Sequence, residues 1–301
     1  MKKQAQRAQG SMATLNRRPL GAIPKSRVRR RGHPALSATH RNITLKRLLL
    51  DCGQAIRCQR PVVQRFGRPF VRSRRRAEID ITYRCNLRCR NCNRSCTQAP
   101  AAIDMPVAQV EAFLTDSMAA RIRWRRIRLL GGEPTLHPDF KSIVDRLVRY
   151  RSDHNPTLRI VICTNGRGRK VRNALSMLPS QIVIKNTSKT DRQRLFRPFN
   201  AAPIDRWRYR LADFGCGCRI IADCGLGLTP QGYYPCAIAG GIDRIFGFGL
   251  GRRSLPSADD EMIDLLERFC PLCGHFGFSW PTRQARISPV WQRGYARYHP
   301  P

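Results

Sequence analysis

Three cysteines stand at C-x3-C-x2-C spacing in the run Tyr83-Arg84-Cys85-Asn86-Leu87-Arg88-Cys89-Arg90-Asn91-Cys92. Three thiolates on one short loop can hold three corners of a cubane [4Fe–4S] cluster. The fourth iron then has no protein ligand and stays open to a small molecule. A ferredoxin run differs: it spells C-x2-C-x2-C-x3-C before a proline and closes its clusters with four thiolates. Here the first gap is three residues, and Cys96 is followed by Thr97. Cys96 reads as a spare thiol or as a thiol near the active site.

Two further motifs follow in order. Ile127-Arg128-Leu129-Leu130 is a hydrophobic strand running into Gly131-Gly132-Glu133-Pro134, and Leu158–Cys163 is a strand running into Thr164-Asn165-Gly166. The cysteine loop itself follows Glu78-Ile79-Asp80-Ile81-Thr82, which alternates as a strand does. Three motifs at the carboxyl ends of three predicted strands resemble the signature of the radical S-adenosylmethionine (radical SAM) enzymes. A zinc knuckle would bring paired cysteines and a fourth ligand of its own.

The resemblance implies that Cys85, Cys89 and Cys92 ligate a [4Fe–4S] cluster whose open iron binds the amino and carboxylate groups of SAM. One electron then cleaves the sulfur–C5′ bond, and the 5′-deoxyadenosyl radical abstracts a substrate hydrogen. By the same resemblance Gly131, Gly132, Glu133 and Pro134 line the methionine end of SAM, with Glu133 facing its ammonium. The glycines would let backbone approach the ligand. Asn165 lies near SAM or substrate. The family often has an aromatic residue just before the third cysteine, where it helps frame the adenine; this chain has Asn91.

A second block holds Cys216, Cys218, Cys224, Cys236, Cys270 and Cys273. It resembles the auxiliary-cluster extensions called SPASM and twitch. Six cysteines are too few to close two cubanes comfortably, so one auxiliary [4Fe–4S] cluster is expected on Cys218, Cys236, Cys270 and Cys273. Cys224 competes for a place, and Cys216 is the spare. A structural zinc site with four thiolates remains the alternative. Cys52 and Cys58 read as half-buried thiols and Cys163 as a core residue.

These motifs need strands to carry them. Strands are predicted near Glu78–Tyr83, Arg126–Leu130, Leu158–Cys163 and Gln181–Lys185. Helices are predicted from Pro106, with Asp104 as a candidate cap, and over His137–Tyr150. Alternating βα units predict an α/β fold. The resemblance makes it a partial (β/α)6 TIM-like barrel with a small cysteine-rich C-terminal metal-cluster domain. The expected divisions are a disordered basic tail (1–40), a basic, partly helical extension (41–76), the radical SAM core (77–215) and the auxiliary domain (216–278), which shows little periodicity and would fold around metal. A basic-aromatic tail (279–301) carries Trp280, Trp291, Tyr295 and Tyr298 and is expected to cover the barrel mouth, to touch a partner or to pack loosely.

The 301 residues carry a net charge of +36, and residues 1–76 hold about twenty basic groups against one acid, Asp51. That excess suits a solvated arm or a polyanion contact. No apolar run is long enough for a membrane span, and no signal segment follows the basic start. Clustered cysteines without an export signal point to metal in a reducing cytoplasm rather than to disulfides. The expected partners are a peptide or small-molecule substrate and an electron donor such as a flavodoxin or ferredoxin. Nucleic acid is the less favoured partner. The alternative functions are a radical SAM enzyme modifying RNA and a non-catalytic iron–sulfur or zinc protein.

Overall fold

A computed structural model describes residues 45–89, 91–100, 103–188, 198–278 and 287–298, the side chains of 45–48, 50 and 51 aside. The tail 1–40, the first residues of the extension (41–44) and Trp280 lie outside the described residues. Two helices, α1 (Leu45–Arg57) and α2 (Arg60–Phe66), lead into β1 (Arg76–Thr82). Then follow α3 (Val107–Ala119), β2 (Arg126–Gly131), α4 (Phe140–His154), β3 (Arg159–Thr164), α5 (Arg169–Ser176) and β4 (Val183–Asn186). The C-terminal part holds α6 (Arg219–Cys224), β5 (Leu226–Thr229), β6 (Gly232–Tyr234), α7 (Ala237–Phe246), α8 (Ile263–Phe269) and α9 (Pro289–Ala296).

The sheet runs in the order β4-β3-β2-β1-β5-β6. Its first five strands in that order are parallel, and β6 turns back antiparallel to β5. This is the parallel-dominated α/β sheet that repeated βα units require. The alternation read in the strands sorts their faces. Ile79, Ile81, Ile127, Leu129, Ile160 and Ile162 are fully buried in one core with Val110 and Phe113 of α3 and Ile143 and Leu147 of α4. Residues one step out of phase, Glu78, Asp80 and Arg128, face the other way.

Two helix starts differ from the sequence reading. Asp104 does not cap α3, whose N-cap position is Pro106. Asp104 instead accepts from Thr82 Oγ1 at 2.6 Å and Arg84 Nε at 2.8 Å, bracing the end of β1. His137 stays outside α4 because Pro138 disfavours a helical residue before it. Its ring bonds Met105 O and the Asp139 amide, both at 2.9 Å.

The C-terminal part also differs. Segment 216–278 does not fold around cysteines alone: β5 extends the main sheet, pairing Ala77 with Leu226 and Ile79 with Leu228. Tyr234, Ile242, Ile245 and Phe269 join the main core. Nor is α9 loose. Trp291 is buried and donates to Leu272 O at 2.7 Å, and Tyr295 Oη lies 2.9 Å from Ser95 Oγ. No helix among the described residues is long and apolar enough to cross a membrane.

Candidate metal centre

β1, β2 and β3 end side by side, so the segments that follow them meet. Cys85, Cys89 and Cys92 are half-buried on the loop after β1. Burial pushes the Cys85 thiol up to about 11, and Cys92, Cys89 and Glu133 act in the same direction. Crowded thiols of this kind stay protonated unless positive metal charge offsets them, so the donor set suits a metal centre. Cys96 is buried and hydrogen-bonded to Cys92, which places it beside this loop.

The glycines of the second motif lie hard against backbone. The Gly132 amide donates to Thr82 O at 2.8 Å and the Glu133 amide to Arg84 O at 2.7 Å. A Cβ on Gly131 would lie 2.1 Å from Thr82 O, and one on Gly132 2.2 Å from Arg84 O. The two glycines thus let β2 run against the stretch that opens the cysteine loop.

Glu133 is fully buried. Its Oε1 accepts from Thr135 Oγ1 at 2.7 Å and Thr164 Oγ1 at 2.8 Å, and its Oε2 accepts from the Asn165 amide at 2.8 Å. Pro134 opens the short 3-10 turn that holds Thr135 in place. Asn165 Nδ2 donates to Asn86 Oδ1 at 2.8 Å, and Asn86 Nδ2 donates to Arg167 O at 2.7 Å. A single carboxylate therefore joins the second and third motifs, and a pair of asparagines joins the third to the cysteine loop. Asn91 Oδ1 accepts from the Phe199 amide at 2.8 Å, and Phe199 O accepts from Gly274. That chain of contacts leads from Cys92 to the residue after Cys273.

Cys218, Cys236, Cys270 and Cys273 line one small apolar cavity, walled by Ile221, Leu266, Phe269 and Phe276. Cys218 and Cys236 stand at the N-caps of α6 and α7, and Cys270 and Cys273 bracket the turn after α8. Burial pushes Cys236 up to about 12 and raises Cys270 and Cys273 well above the usual range. Among the described residues, no three His, Cys, Asp or Glu side chains converge tightly enough for a single metal ion.

The other cysteines lie elsewhere. Cys216 sits with Cys58 in a satellite core. Cys224 faces Glu78 and Arg128, with Arg128 Nη1 3.7 Å from its sulfur. Cys52 is exposed, and burial pushes Cys58 up to about 11. Cys163, expected in the core, is half-buried on the face of β3 opposite Ile160 and Ile162, toward Lys185 and Arg128.

Two features were missed in the sequence. Arg94, buried two residues past Cys92, binds Asp80 through Nε at 2.9 Å and Nη2 at 3.2 Å, with Glu78 3.7 Å away. Burial pushes the Asp80 carboxyl up to about 6 against the pull of Arg94. Arg244 on α7 donates to Arg94 O, Ser95 O and Pro100 O, with its guanidinium 4.4 Å from the Tyr83 ring centroid. α7, capped by Cys236, thus reaches the turn after Cys92 through Arg244. Alternation of acids along β1 was the available signal for the first; nothing local signals the second.

Residues 79–177 match the family model of the radical SAM superfamily, a span that holds all three motifs. The chain is 34% identical over 93 residues to a probable GTP 3′,8-cyclase of Thermococcus kodakarensis, covering 31% of this chain and 28% of that protein. It is 34% identical over 110 residues to a GTP 3′,8-cyclase of Acidothermus cellulolyticus, covering 35% and 28%. Each match thus spans less than a third of the relative's length. A crystal structure of BtrN with AdoMet and 2-DOIA is similar over 70% of this chain and 95% of that one, at 13% identity and a TM-score of 0.39.

Proposed function

We propose the following function for a chain whose residues 79–177 form a radical SAM domain: reductive cleavage of SAM to begin radical chemistry on a peptide or small-molecule substrate. Radical SAM proteins use a [4Fe–4S] cluster and SAM. Here Cys85, Cys89 and Cys92 would hold that cluster. When bound and reduced, the cluster supplies the electron that cleaves SAM to a 5′-deoxyadenosyl radical, which takes a hydrogen atom from the substrate.

One observation carries this reading. Glu133 binds Thr164 and the Asn165 amide, while the amides of Gly132 and Glu133 bind Thr82 and Arg84. The three motifs are thereby locked together beside three crowded thiols. The remaining residues hold and orient. Gly131 and Gly132 set the loop against β2, and Asn86 and Asn165 fix its middle. Arg244 and Tyr295 pin its far end. In this reading Glu133 and Asn165 sit at the SAM pocket as its rigid wall, and Glu133 retains a lone pair on Oε2 for the SAM ammonium.

Cys218, Cys236, Cys270 and Cys273 would hold a second [4Fe–4S] cluster. Their convergence on one apolar cavity supports a shared metal centre, and the resemblance of the block to auxiliary-cluster extensions favours a cluster over a four-thiolate zinc site. With four thiolates closing it, this cluster would pass electrons rather than bind substrate. The curated relatives' GTP is not carried over, since each match covers so little of those proteins. A cytoplasmic setting and a flavodoxin- or ferredoxin-type donor complete the proposal.

Anaerobic reconstitution tests the second centre. The protein should take up about eight irons and eight sulfides, and Cys218→Ala/Cys236→Ala/Cys270→Ala/Cys273→Ala about four. A quadruple variant that still holds eight would remove these residues from the metal centre. Bound zinc in the purified protein, with only four irons, would support the structural-zinc alternative.

A further inference from the structure

Outside residues 79–177, the turn Ile204-Asp205-Arg206-Trp207-Arg208-Tyr209-Arg210-Leu211 alternates arginine with apolar side chains. Trp207 is 84% exposed, and Ile204 and Leu211 are exposed beside it in sequence. Tyr209 turns inward and anchors the turn, packing edge-on against Phe276. Its hydroxyl reaches Phe278 O, and the same carbonyl accepts from Arg206 Nη1 at 3.4 Å and Arg208 Nη2 at 2.7 Å. Two guanidinium groups are therefore held together on one oxygen instead of spreading apart. Burial and the neighbouring Arg208 lower the proton affinity of Arg206.

The adjoining segment extends the positive charge. Residues 52–68 hold four arginines and no acid, whereas Arg74 and Arg76 further on pair with Glu261 and Asp223. Residues 52–68 dock on the turn through the Arg60 amide to Leu211 O at 2.8 Å and a bridge between Gln59 and Ala212. Phe66 is 67% exposed there, with Arg57 and Arg65 over its ring. The acids flanking the turn are Asp205, which accepts from the Val290 amide, and Asp213, half-buried beside Cys58 and Cys216.

We propose that the face carrying Trp207, Arg208, Arg210 and Arg60 binds single-stranded nucleic acid. A phosphodiester chain supplies negative charge at regular intervals, and its unstacked bases supply flat faces. Arginines around an exposed tryptophan match both features. An acidic peptide matches the charge alone and leaves the Trp207 face without a use. The surface is read from the same chain but does not depend on the SAM chemistry proposed above.

The test uses full-length reconstituted protein and fluorescein-labelled oligouridylate and oligothymidylate of about 12 nucleotides, followed by anisotropy. Both should bind at about 50 mM KCl and weaken steeply by about 200 mM. Trp207→Ala should weaken binding about 5- to 150-fold, the range for losing one stacked base, and Trp207→Phe should keep most of it. Arg208→Gln should lower the slope of log affinity against log salt by about 0.7. A preference for one oligonucleotide would say whether the ligand is RNA or DNA. Unchanged affinity in Trp207→Ala would place any binding on the basic N-terminal segment and overturn the proposal. Displacement by polyglutamate at equal charge would overturn it in favour of an acidic protein partner. Because Trp207 is so exposed, the variant should fold, and an unchanged melting temperature checks this.

Discussion

Replacing Cys85, Cys89 and Cys92 together with alanine should leave about four of about eight irons and abolish SAM cleavage altogether. The three side chains are half-buried on a loop; the Leu87 amide donates to Cys85 Sγ at 3.5 Å and Cys92 bonds Cys96, but backbone and other side chains hold the loop as well. Thr82 and Arg84 hold its start, Asn86 its middle, and Asn91, Ser95 and Arg94 its end. Three small cavities near the surface cost less than the core substitutions that unfold proteins. The variant should therefore fold, keep the iron at Cys218, Cys236, Cys270 and Cys273, and lose only the open-iron centre. Iron and sulfide analysis with electron paramagnetic resonance checks this. A triple variant with its full iron would take these cysteines out of the reading.

Gly132→Ala should destabilise the fold by about 3–5 kcal/mol, combining overpacking with the loss of one or two ladder hydrogen bonds. The new Cβ would meet Arg84 O at 2.2 Å and Tyr83 O at 2.8 Å, both backbone atoms just past the end of β1 that cannot turn aside as a side chain would. Such a loss is a large part of the stability of an ordinary domain. Gly53→Ala is the control: nothing lies within 4 Å of its Cβ position inside α1, so it should be neutral or raise stability by about 0.5–1 kcal/mol. Urea midpoints followed by far-ultraviolet circular dichroism compare the two. Equal midpoints would mean that β2 does not press on the cysteine loop as described.

The elements that place the motifs were legible because local pattern and global fold agree there. Period-two alternation in residues 78–82 and 126–130 is the alternation that buries Ile79, Ile81, Ile127 and Leu129. The spacing of Cys218, Cys236, Cys270 and Cys273 singled out the four cysteines that line one cavity. What stayed hidden depends on contacts between distant segments. β5 is a four-residue strand, Leu-Gly-Leu-Thr, too short to show a period, and its pairing with β1 spans about half the chain. That residues 82–84 press against Gly131 and Gly132 is likewise a contact no sequence shows. Asp104 has the composition of a helix cap, yet Thr82 and Arg84 compete for its carboxylate and win. Cys163 follows apolar residues and so looked like core, but the alternation of β3 turns it to the charged face.

The most direct measurement of the central claim is 5′-deoxyadenosine. Reconstituted protein given dithionite and SAM, without added substrate, should form it slowly, only when both reagents are present. Methionine should appear in equal amount, and the Cys85→Ala/Cys89→Ala/Cys92→Ala variant should form neither. Protein with both centres loaded and reduced that leaves SAM intact would contradict the account, however well the three motifs are joined by Glu133.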